Sequence, residues 1–560
     1  MKFEDKLKKL PAEVLWQEYC GFLDLSIDDY MQIQLRLMQE QLNIWSACPL
    51  GKKLLNGQTP RTVEEFRRML PLTTFSDYAD VLLQKRAELL PDAPVIWIET
   101  TWEGGRHPVK LAPYTRGMLE VYRSNVIASL ILCTSSKRGR FTVRPGDKTL
   151  YGFAPLPYAT GLFPLLLEEE ISLKYLPSLK DGKAMSFGQR NKEGFKLGLN
   201  SGIDLFFGMS SVVSYITESF AESGAAKSPK RPPKTAGNGQ KANVIHMTMS
   251  MLRRYLTSKY QSNRDGVPMK PKDLFHLKGF VCAGTDTACY KDYLEDTWGV
   301  RPMEIAAGTE PTIIGTETWS RDGLVLFPDA CFYEFIPEPE MLKNLDDPSY
   351  QPRTVLLNEL EANRSYELVI SVLKGGAFAR YRVGDMYRCV STGCEKRDDG
   401  VRLPRVTFVD RVPTIIDIAG FTRITEPMIA EVIALSGLPV ADWLAAKQFN
   451  ADRRPYLQLY IEMEKEALES VAVSRQLLIE HLSVYFKCFD SDYNDLKRLL
   501  GIDPLQVTIL RSGTMAAYRR AGHEIRRINP PALALSELLA MQTKVPNFPA
   551  FVAQGGVSRE

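Results

Sequence analysis

The amino-acid sequence predicts an α/β fold with a mostly parallel sheet that is covered by helices on both faces. Short apolar runs rich in β-branched and aromatic residues recur through the amino-terminal two thirds of the chain, and helical patterns lie between them. Alternation of this kind is typical of strands buried on both faces and connected by helices. The predicted strands are Val95–Ile98, Thr149–Phe153, Leu205–Gly208, Gly279–Cys282 and Leu324–Phe327.

Helices are predicted before these strands and again in the middle of the chain. From Pro11 to about Asn56 the apolar residues recur at spacings of three and four, the period of an amphipathic helix. A second helical segment is predicted at Val244–Tyr260. The intervening segment Ala221–Ala242 contains five basic residues, three prolines and three glycines. This composition predicts a mobile loop, either a solvated linker or a basic cover for an anionic ligand.

Length and charge limit the classes of protein to consider. The 560 residues carry a net charge of +3 from 70 basic and 67 acidic side chains, which gives no electrostatic argument for nucleic acid or a membrane as a partner. The charged amino terminus does not resemble a signal peptide, and there is no run of about 18 apolar residues that would span a bilayer. We therefore expect a cytoplasmic protein.

The cysteines and histidines give no indication of a metal site. Nine cysteines are scattered through mostly apolar contexts, as expected of reduced, buried thiols. Cys389 and Cys394 form the closest approach to a metal-binding pair, but no second pair or histidine cluster accompanies them. We predict no zinc site.

The most informative short segment is Tyr381-Arg382-Val383-Gly384-Asp385. A strand that ends in Gly-Asp can present one carboxylate to a pair of vicinal hydroxyls, such as those of a ribose. The alternative interpretation is a solvated ion pair between Arg382 and Asp385.

A second segment, Ala306-Ala307-Gly308-Thr309-Glu310, follows an apolar-rich run. A turn at this point brings a hydroxyl and a carboxylate to the carboxyl end of a strand, where open α/β sheets bind ligands and where oxygen atoms can hold Mg²⁺. The alternative for Thr309 and Glu310 is a helix N-cap turn.

These segments, together with several more in the same order, resemble the auxin-responsive promoter (Gretchen Hagen) family of acyl acid amido synthetases, particularly its bacterial members. The family belongs to the acyl-adenylate/luciferase superfamily. The supporting segments are Phe66–Tyr78, Gly208–Val212, Ala283–Thr287, Thr318–Trp319, Phe332–Pro337, Asp410–Arg411, Ile415–Glu426 and Gly513–Tyr518. The resemblance implies a large adenylate-forming-type domain at residues 1–410 and a smaller α+β lid domain at residues 411–560, with a hinge near Asp410–Arg411.

The resemblance also implies roles for individual residues. Asp385 would bind the ribose, Glu310 would hold Mg²⁺ beside the α-phosphate, and Thr309 would bind that phosphate. Arg411 would reach ribose or phosphate from the hinge. The adenine would lie on Gly284-Thr285-Asp286, and Tyr333 is either part of the nucleotide pocket or plain core.

The chain departs from the family in two places, both of which handle phosphate charge. The counterpart of the phosphate loop is Thr101–Lys110, in which Trp102 and Glu103 stand where small hydroxyl residues are expected and Lys110 is kept. Near the carboxyl end, Asn529 stands where the family has a lysine. Arg106, Arg526 or Arg527 would be substitutes, because a guanidinium binds phosphate well.

The leading hypothesis is a carbon–nitrogen ligase that uses ATP and Mg²⁺ to activate a small carboxylic acid and joins it to an amine. A second hypothesis is a descendant that needs no ATP and condenses or cyclises a substrate that is already reactive, so that no cofactor is required. A third is a non-catalytic ligand-binding relative, and a fourth is a coenzyme A ligase.

Overall fold

The computed structural model describes residues 1–100, 109–220, 247–394, 397–420, 422–451, 453–464, 479–484, 486 and 504–545. The predicted loop at 221–242 and the residues Trp102, Glu103 and Arg106 of the predicted phosphate loop lie outside these ranges. By contacts the chain divides into two compact units, which are treated separately below. The first contains Met1–Thr101 and Val109–Asp410, and the second contains Arg411–Glu560.

The helices of the described residues are α1 Phe3–Lys9, α2 Ala12–Cys20, α3 Ile27–Ala47, α4 Pro49–Leu54, α5 Val63–Met69, α6 Ala79–Leu82, α7 Arg116–Cys133, α8 Leu162–Glu170, α9 Leu179–Gly182, α10 Phe187–Ser201, α11 Ser210–Phe220, α12 Met249–Asp265, α13 Pro271–Leu274, α14 Thr287–Trp298, α15 Glu338–Asp346, α16 Glu426–Ser436, α17 Thr514–Arg520 and α18 Ala532–Met541.

The strands are β1 Pro94–Glu99, β2 Leu111–Thr115, β3 Ser135–Lys137, β4 Arg140–Phe141, β5 Lys148–Gly152, β6 Lys174–Leu176, β7 Leu205–Met209, β8 Gly279–Ala283, β9 Met303–Gly308, β10 Thr312–Glu317, β11 Leu324–Leu326, β12 Cys331–Pro337, β13 Ser365–Val372, β14 Tyr381–Ser391, β15 Arg405–Arg411, β16 Ile415–Ile418, β17 Thr422–Thr425, β18 Val440–Phe449, β19 Pro455–Met463 and β20 Leu505–Leu510.

The first unit is built on an eleven-stranded sheet with the order β12-β13-β14-β15-β11-β10-β9-β8-β7-β5-β6. The strands β6, β5, β7, β8 and β9 pair in parallel, as the alternation of strands and helices predicts. From β9 to β11, and from β12 to β14, the pairings are antiparallel. The predicted α/β class is confirmed. Of the five predicted strands, β5, β7 and β8 lie in the parallel part of the sheet, whereas β11 pairs antiparallel with β10 and β1 forms a separate two-stranded antiparallel sheet with β2.

Local sequence explains where several helices begin. The side chains of Ser26, Thr62 and Thr115 each accept a hydrogen bond from a backbone N–H in the first turn of α3, α5 and α7. The helices predicted between residues 11 and 56 are α2, α3 and α4. The predicted helix at Val244–Tyr260 corresponds to α12, which begins later and extends to Asp265.

The second unit has its own core. The strands β18, β19 and β20 form a three-stranded sheet in which β18 pairs antiparallel and β20 pairs parallel with β19. The helix α16 and the hairpin β16–β17 contribute apolar residues to the same buried cluster, among them Ile416, Ile424, Ile429 and Val432. Among the described residues of the whole chain, none of the helices combines the length and the apolar character needed to cross a membrane.

Candidate active site

Lys110, Glu310 and Tyr381 form a buried cluster in the first unit. The Nζ of Lys110 donates to the hydroxyl of Tyr381 over 2.9 Å and lies 3.4 Å from Oε1 of Glu310. The Tyr381 hydroxyl in turn donates to the same Oε1 over 2.8 Å. The three residues are 9%, 7% and 1% exposed, so this is an ion pair almost removed from solvent.

Loop geometry brings Glu310 and Thr309 to the carboxyl end of β9. Residues Thr309, Glu310 and Pro311 form a three-residue connection between the antiparallel strands β9 and β10. Thr312, the first residue of β10, pairs with Gly308 and has a φ of +68°, a left-handed conformation that is costly for a β-branched residue. The hydroxyl of Tyr114 on β2 donates to the Thr309 carbonyl over 2.7 Å and fixes the loop.

The segment Phe66–Tyr78, which contributes to the family resemblance, packs against the start of β14 and holds Tyr381 in place. Thr73 pairs with the start of β14, since its N–H donates to the Arg380 carbonyl and its carbonyl accepts from the Arg382 N–H, each over 2.9 Å. The Tyr78 hydroxyl bonds the backbone of Ala379. The ring of Phe75, like that of Tyr381, has its centroid 5.6 Å from Lys110 Nζ.

Two buried arginine–glutamate pairs fix the same strand. The guanidinium of Arg380 makes two hydrogen bonds of 3.0 Å to Glu334 on β12. Burial alone would raise the pKa of Glu334, but Arg380 and Arg67 lower it below its ordinary value. Arg382 binds both oxygens of Glu367 on β13 over 2.8 and 2.6 Å. Its ion-pair partner is therefore Glu367, and not Asp385 as in the alternative interpretation of this segment.

Asp385 lies on a bulge of β14. Arg382 pairs with Val369 and Met386 pairs with Glu367, so Val383, Gly384 and Asp385 together oppose a single residue of β13. Gly384 has a φ of +80°, a conformation that glycine adopts without strain. Bulges of this kind turn a side chain away from the regular alternation and often occur next to active sites. Asp385 is half-buried.

The segment Gly284-Thr285-Asp286 follows β8, the parallel neighbour of β9. The carboxyl ends of parallel neighbours meet at one edge of a sheet, so this turn and the Thr309–Glu310 loop belong to the same edge. Gly284 has a φ of +126°, and a Cβ there would approach no atom closer than 4.0 Å, so conformation rather than space requires the glycine.

Tyr333, which the resemblance assigns to the nucleotide pocket or to plain core, lies within the first unit. It is 1% exposed on β12, and its hydroxyl lies 2.8 Å from the Phe327 carbonyl and 3.1 Å from that of Ile314. Its ring packs in the hydrophobic core, and its hydroxyl is hydrogen-bonded to backbone carbonyls of the core. These contacts favour the interpretation of Tyr333 as a core residue over a place in the nucleotide pocket.

Arg411 and Asn529 belong to the second unit. Arg411 Nε lies 3.8 Å from Oδ2 of the buried Asp417, which Arg423 also approaches at 3.5 Å. Asn529 Oδ1 accepts from the Lys447 N–H over 2.9 Å, and Nδ2 donates to the Ile415 carbonyl over 3.2 Å. The Asn529 amide therefore joins β16 to β18.

Sequence reasoning misses Tyr381 as a member of the site. The segment that begins with it is the most informative one in the chain, but the sequence indicates a role only for Asp385. A tyrosine at the start of a strand that leads to a Gly-Asp bulge is the available signal, and its partners are 271 and 71 residues away along the chain.

Comparison with known proteins supports the same fold. Residues 324–411 match the model of the GH3 family central domain. The chain has no match among curated proteins. Among solved structures, it is similar to 2-hydroxyisobutyryl-CoA ligase in complex with 2-HIB-AMP and CoA, with 14% identity over 93% of each chain and a TM-score of 0.54. It also matches the AtGH3.15 acyl acid amido synthetase in complex with 2,4-DB, with 16% identity over 93% of this chain and 95% of that one, and a TM-score of 0.49.

The first of these structures shows that the chain has the adenylate-forming ligase fold, although at this identity it shows the fold alone. The segment 324–411 contains the strands β11 to β15, and therefore Tyr381 and Asp385. The predicted resemblance is confirmed to this extent: residues 324–411 are similar to the GH3 family central domain, and the chain has the adenylate-forming ligase fold.

Proposed function

We propose that this protein is a ligase that uses ATP and Mg²⁺ to activate a carboxylic acid and transfers the acyl group to an amine. The observation that carries the proposal is the buried cluster of Lys110, Glu310 and Tyr381 at the loop after β9. Burying a lysine and a glutamate together gains little stability, because desolvation offsets most of their attraction. A buried pair at the edge where open α/β sheets bind ligands is therefore better explained by function.

The donor set fits a hard cation. Both hydrogen bonds to Glu310 in the described part of the chain go to Oε1, which leaves Oε2 without a hydrogen bond there. Carboxylate oxygens are the ligands that Mg²⁺ takes from proteins, usually one or two together with phosphate oxygens. Glu310 would hold the ion through Oε2 while Tyr381 and Lys110 keep the carboxylate oriented.

The remaining residues would hold ATP in place or neutralise the charge of its phosphates. When bound, ATP supplies the α-phosphate that the carboxylate substrate attacks, with loss of pyrophosphate. Lys110 neutralises phosphate charge, Asp385 accepts hydrogen bonds from the ribose hydroxyls, Thr309 binds phosphate, and Gly284–Asp286 lie against the adenine. Such a reaction needs little acid–base catalysis, because positioning and electrostatic stabilisation supply most of the rate.

The test is acid-dependent exchange of pyrophosphate into ATP, measured over a broad panel of carboxylic acids. We expect Lys110→Met and Glu310→Gln to abolish the exchange. Lys291→Met is the matched control, because Lys291 is equally buried and pairs with Glu304 and Glu317 elsewhere in the same unit. It should lower the melting temperature but keep the exchange. Isolating the product with amines or with coenzyme A as acceptor then separates an amide synthetase from a thioester ligase.

A descendant that works without ATP is the second candidate, and Asn529 is the observation that favours it. The resemblance aligns Asn529 with a lysine of the adenylation site. In this chain the side-chain amide of Asn529 is hydrogen-bonded to backbone groups of the second unit. Titration calorimetry with ATP and Mg²⁺ separates the two candidates. Absence of ATP binding at millimolar concentration, together with turnover in ATP-free buffer, would contradict the first proposal.

A further inference from the structure

Arg190 on α10 is a buried guanidinium that has no carboxylate partner among the described residues. It is 5% exposed, and one of its nitrogens donates to the Phe153 carbonyl. The guanidinium carbon lies 5.0 Å from the ring centroid of Tyr151 and 5.3 Å from that of Phe187. Its Nε is inaccessible to solvent and makes no hydrogen bond within the described chain. Burial lowers the pKa of this guanidinium, and Tyr151 offsets the shift only in part.

Two more buried arginines of the described residues, unlike Arg190, have carboxylate partners. Arg380, at 7% exposed, binds Glu334, and Arg405, at 0%, binds Asp322 and Asp399. A buried charge without a counter-ion is costly, and aromatic rings repay only part of that cost. Among the described residues, Arg190 thus differs from Arg380 and Arg405, and an anion from outside the chain would compensate its charge.

The next residue has the same property. Asn191 is 4% exposed, and its Oδ1 is inaccessible to solvent without a hydrogen-bond partner in the described chain. That oxygen lies 3.9 Å from the point that a Cβ on Gly152 would occupy. Gly152 pairs with Gly208 across β5 and β7, so both strands lack a side chain at this level.

The sheet places these groups at the same edge as the Lys110–Glu310–Tyr381 cluster. The strands β5, β7, β8 and β9 are consecutive and parallel, so their carboxyl ends meet at one edge. Gly152 ends β5, and Thr309 follows β9. Three strand spacings of ~4.8 Å separate these ends, or roughly 14 Å along the edge.

We propose that Arg190 and Asn191 form a subsite that binds a substrate carboxylate. This carboxylate is a different one from the carboxylate that reacts with ATP. The planar guanidinium binds such a group through two parallel N–H donors. Two sources share this chemistry: the distal carboxylate of a dicarboxylic acid, and the α-carboxylate of an amino acid that serves as the amine. The assignment of these two compounds as acid and amine substrates rests on the proposed function, whereas the carboxylate subsite itself does not.

The experiment is ligand binding without ATP, so that its failure is distinct from failure of the ligase proposal. The melting temperature and titration heat of the whole protein are measured with straight-chain dicarboxylates, with their dimethyl esters, and with amino acids and their amides. We expect one of the two acid series to bind, and the ester or amide of the same compound to bind about tenfold or more weakly. Binding by the dicarboxylates alone assigns the subsite to the acid substrate, and binding by the amino acids alone assigns it to the amine.

Arg190→Met and Arg380→Met form the matched pair of variants. Arg190→Met removes an uncompensated buried charge, so its melting temperature should equal or exceed that of the wild type, while carboxylate binding is lost. Arg380→Met leaves Glu334 buried without its main partner and should lower the melting temperature. The proposal is overturned if Arg190→Met is destabilised as much as Arg380→Met, or if no compound of either series distinguishes the wild type from Arg190→Met.

Discussion

The hydroxyl of Tyr381 donates a hydrogen bond to Oε1 of Glu310 over 2.8 Å. Because the same hydroxyl accepts from Lys110, it lies between a cation and an anion and fixes both. One oxygen of Glu310 is thereby held in place while its second oxygen makes no hydrogen bond within the described residues. The tyrosine is a positioning residue for the two charged groups to which we assign phosphate and metal.

Tyr381→Phe tests this arrangement. It removes a buried hydrogen bond to a charged group, worth roughly 1.5 to 3 kcal/mol, and leaves Lys110 and Glu310 in place. We expect pyrophosphate exchange to fall by about tenfold or more, with a higher apparent Mg²⁺ requirement. Tyr333→Phe is the control, since that hydroxyl is equally buried but bonds only backbone carbonyls of the core. An equal loss of exchange in both variants would show that the effect is one of stability.

The second prediction concerns the buried pair Glu304 and Glu317, which share Lys291. Burial raises the pKa of Glu304, and Glu317 raises it further, although Lys291 opposes both. A carboxyl with a raised pKa in the folded state favours folding when protonated. Its contribution is therefore greatest in acid and declines as the pH rises through the folded pKa.

We therefore expect Glu304→Gln to leave the melting temperature unchanged or to raise it at neutral pH, and to flatten its fall as the pH rises above the ordinary pKa of a glutamate. Glu317→Gln should lower it at every pH, because Glu317 accepts from both Lys291 and the Glu304 N–H over 2.7 Å. Thermal melts of the two variants across this pH range provide the measurement. A large destabilisation by Glu304→Gln at neutral pH would contradict the assignment.

The bulge of β14 gives the third prediction. Gly384→Ala forces a side chain into a φ of +80° and should cost about 1 to 2 kcal/mol. Gly437→Ala is the control, because Gly437 has a φ of +65° after α16, where a Cβ would meet no atom within 4 Å. Both variants should lose similar stability, but only Gly384→Ala should weaken ATP binding, since it displaces Asp385. Calorimetry that finds equal ATP affinity in both variants would remove Asp385 from the site.

Local features of the fold were predictable from sequence. The runs that became β1, β5, β7, β8 and β11 are short and apolar, and the turns at Gly284 and Thr309 directly follow β8 and β9. Strand and turn signals lie within a few residues of each other, so no tertiary information is needed. The antiparallel half of the sheet was not predictable, because an apolar run does not indicate which strand it will pair with.

The candidate site was predictable only in part, for the same reason. Glu310 and Asp385 follow recognisable strands, but the contact between Lys110 and Tyr381 joins residues 271 positions apart. Arg190 stands in the polar run Gln189-Arg190-Asn191-Lys192, which is typical of a solvated helix face. Only the packing of α10 at the end of β5 reveals that Arg190 and Asn191 are buried.

The last prediction concerns Asn529, on which the use of ATP depends. Its φ of +44° is a conformation that asparagine tolerates better than most residues. Asn529→Ala and Asn529→Lys both lose the hydrogen bonds to Lys447 and Ile415, so both should cost roughly 1 to 3 kcal/mol of stability. Only the lysine returns a positive charge to the position that the resemblance assigns to adenylation. We therefore expect Asn529→Lys, but not Asn529→Ala, to raise acid-dependent pyrophosphate exchange above the wild-type rate. If the two variants lose stability equally and neither gains exchange, the aligned position does not act on phosphate in this protein, and the ATP-independent candidate becomes the stronger of the two.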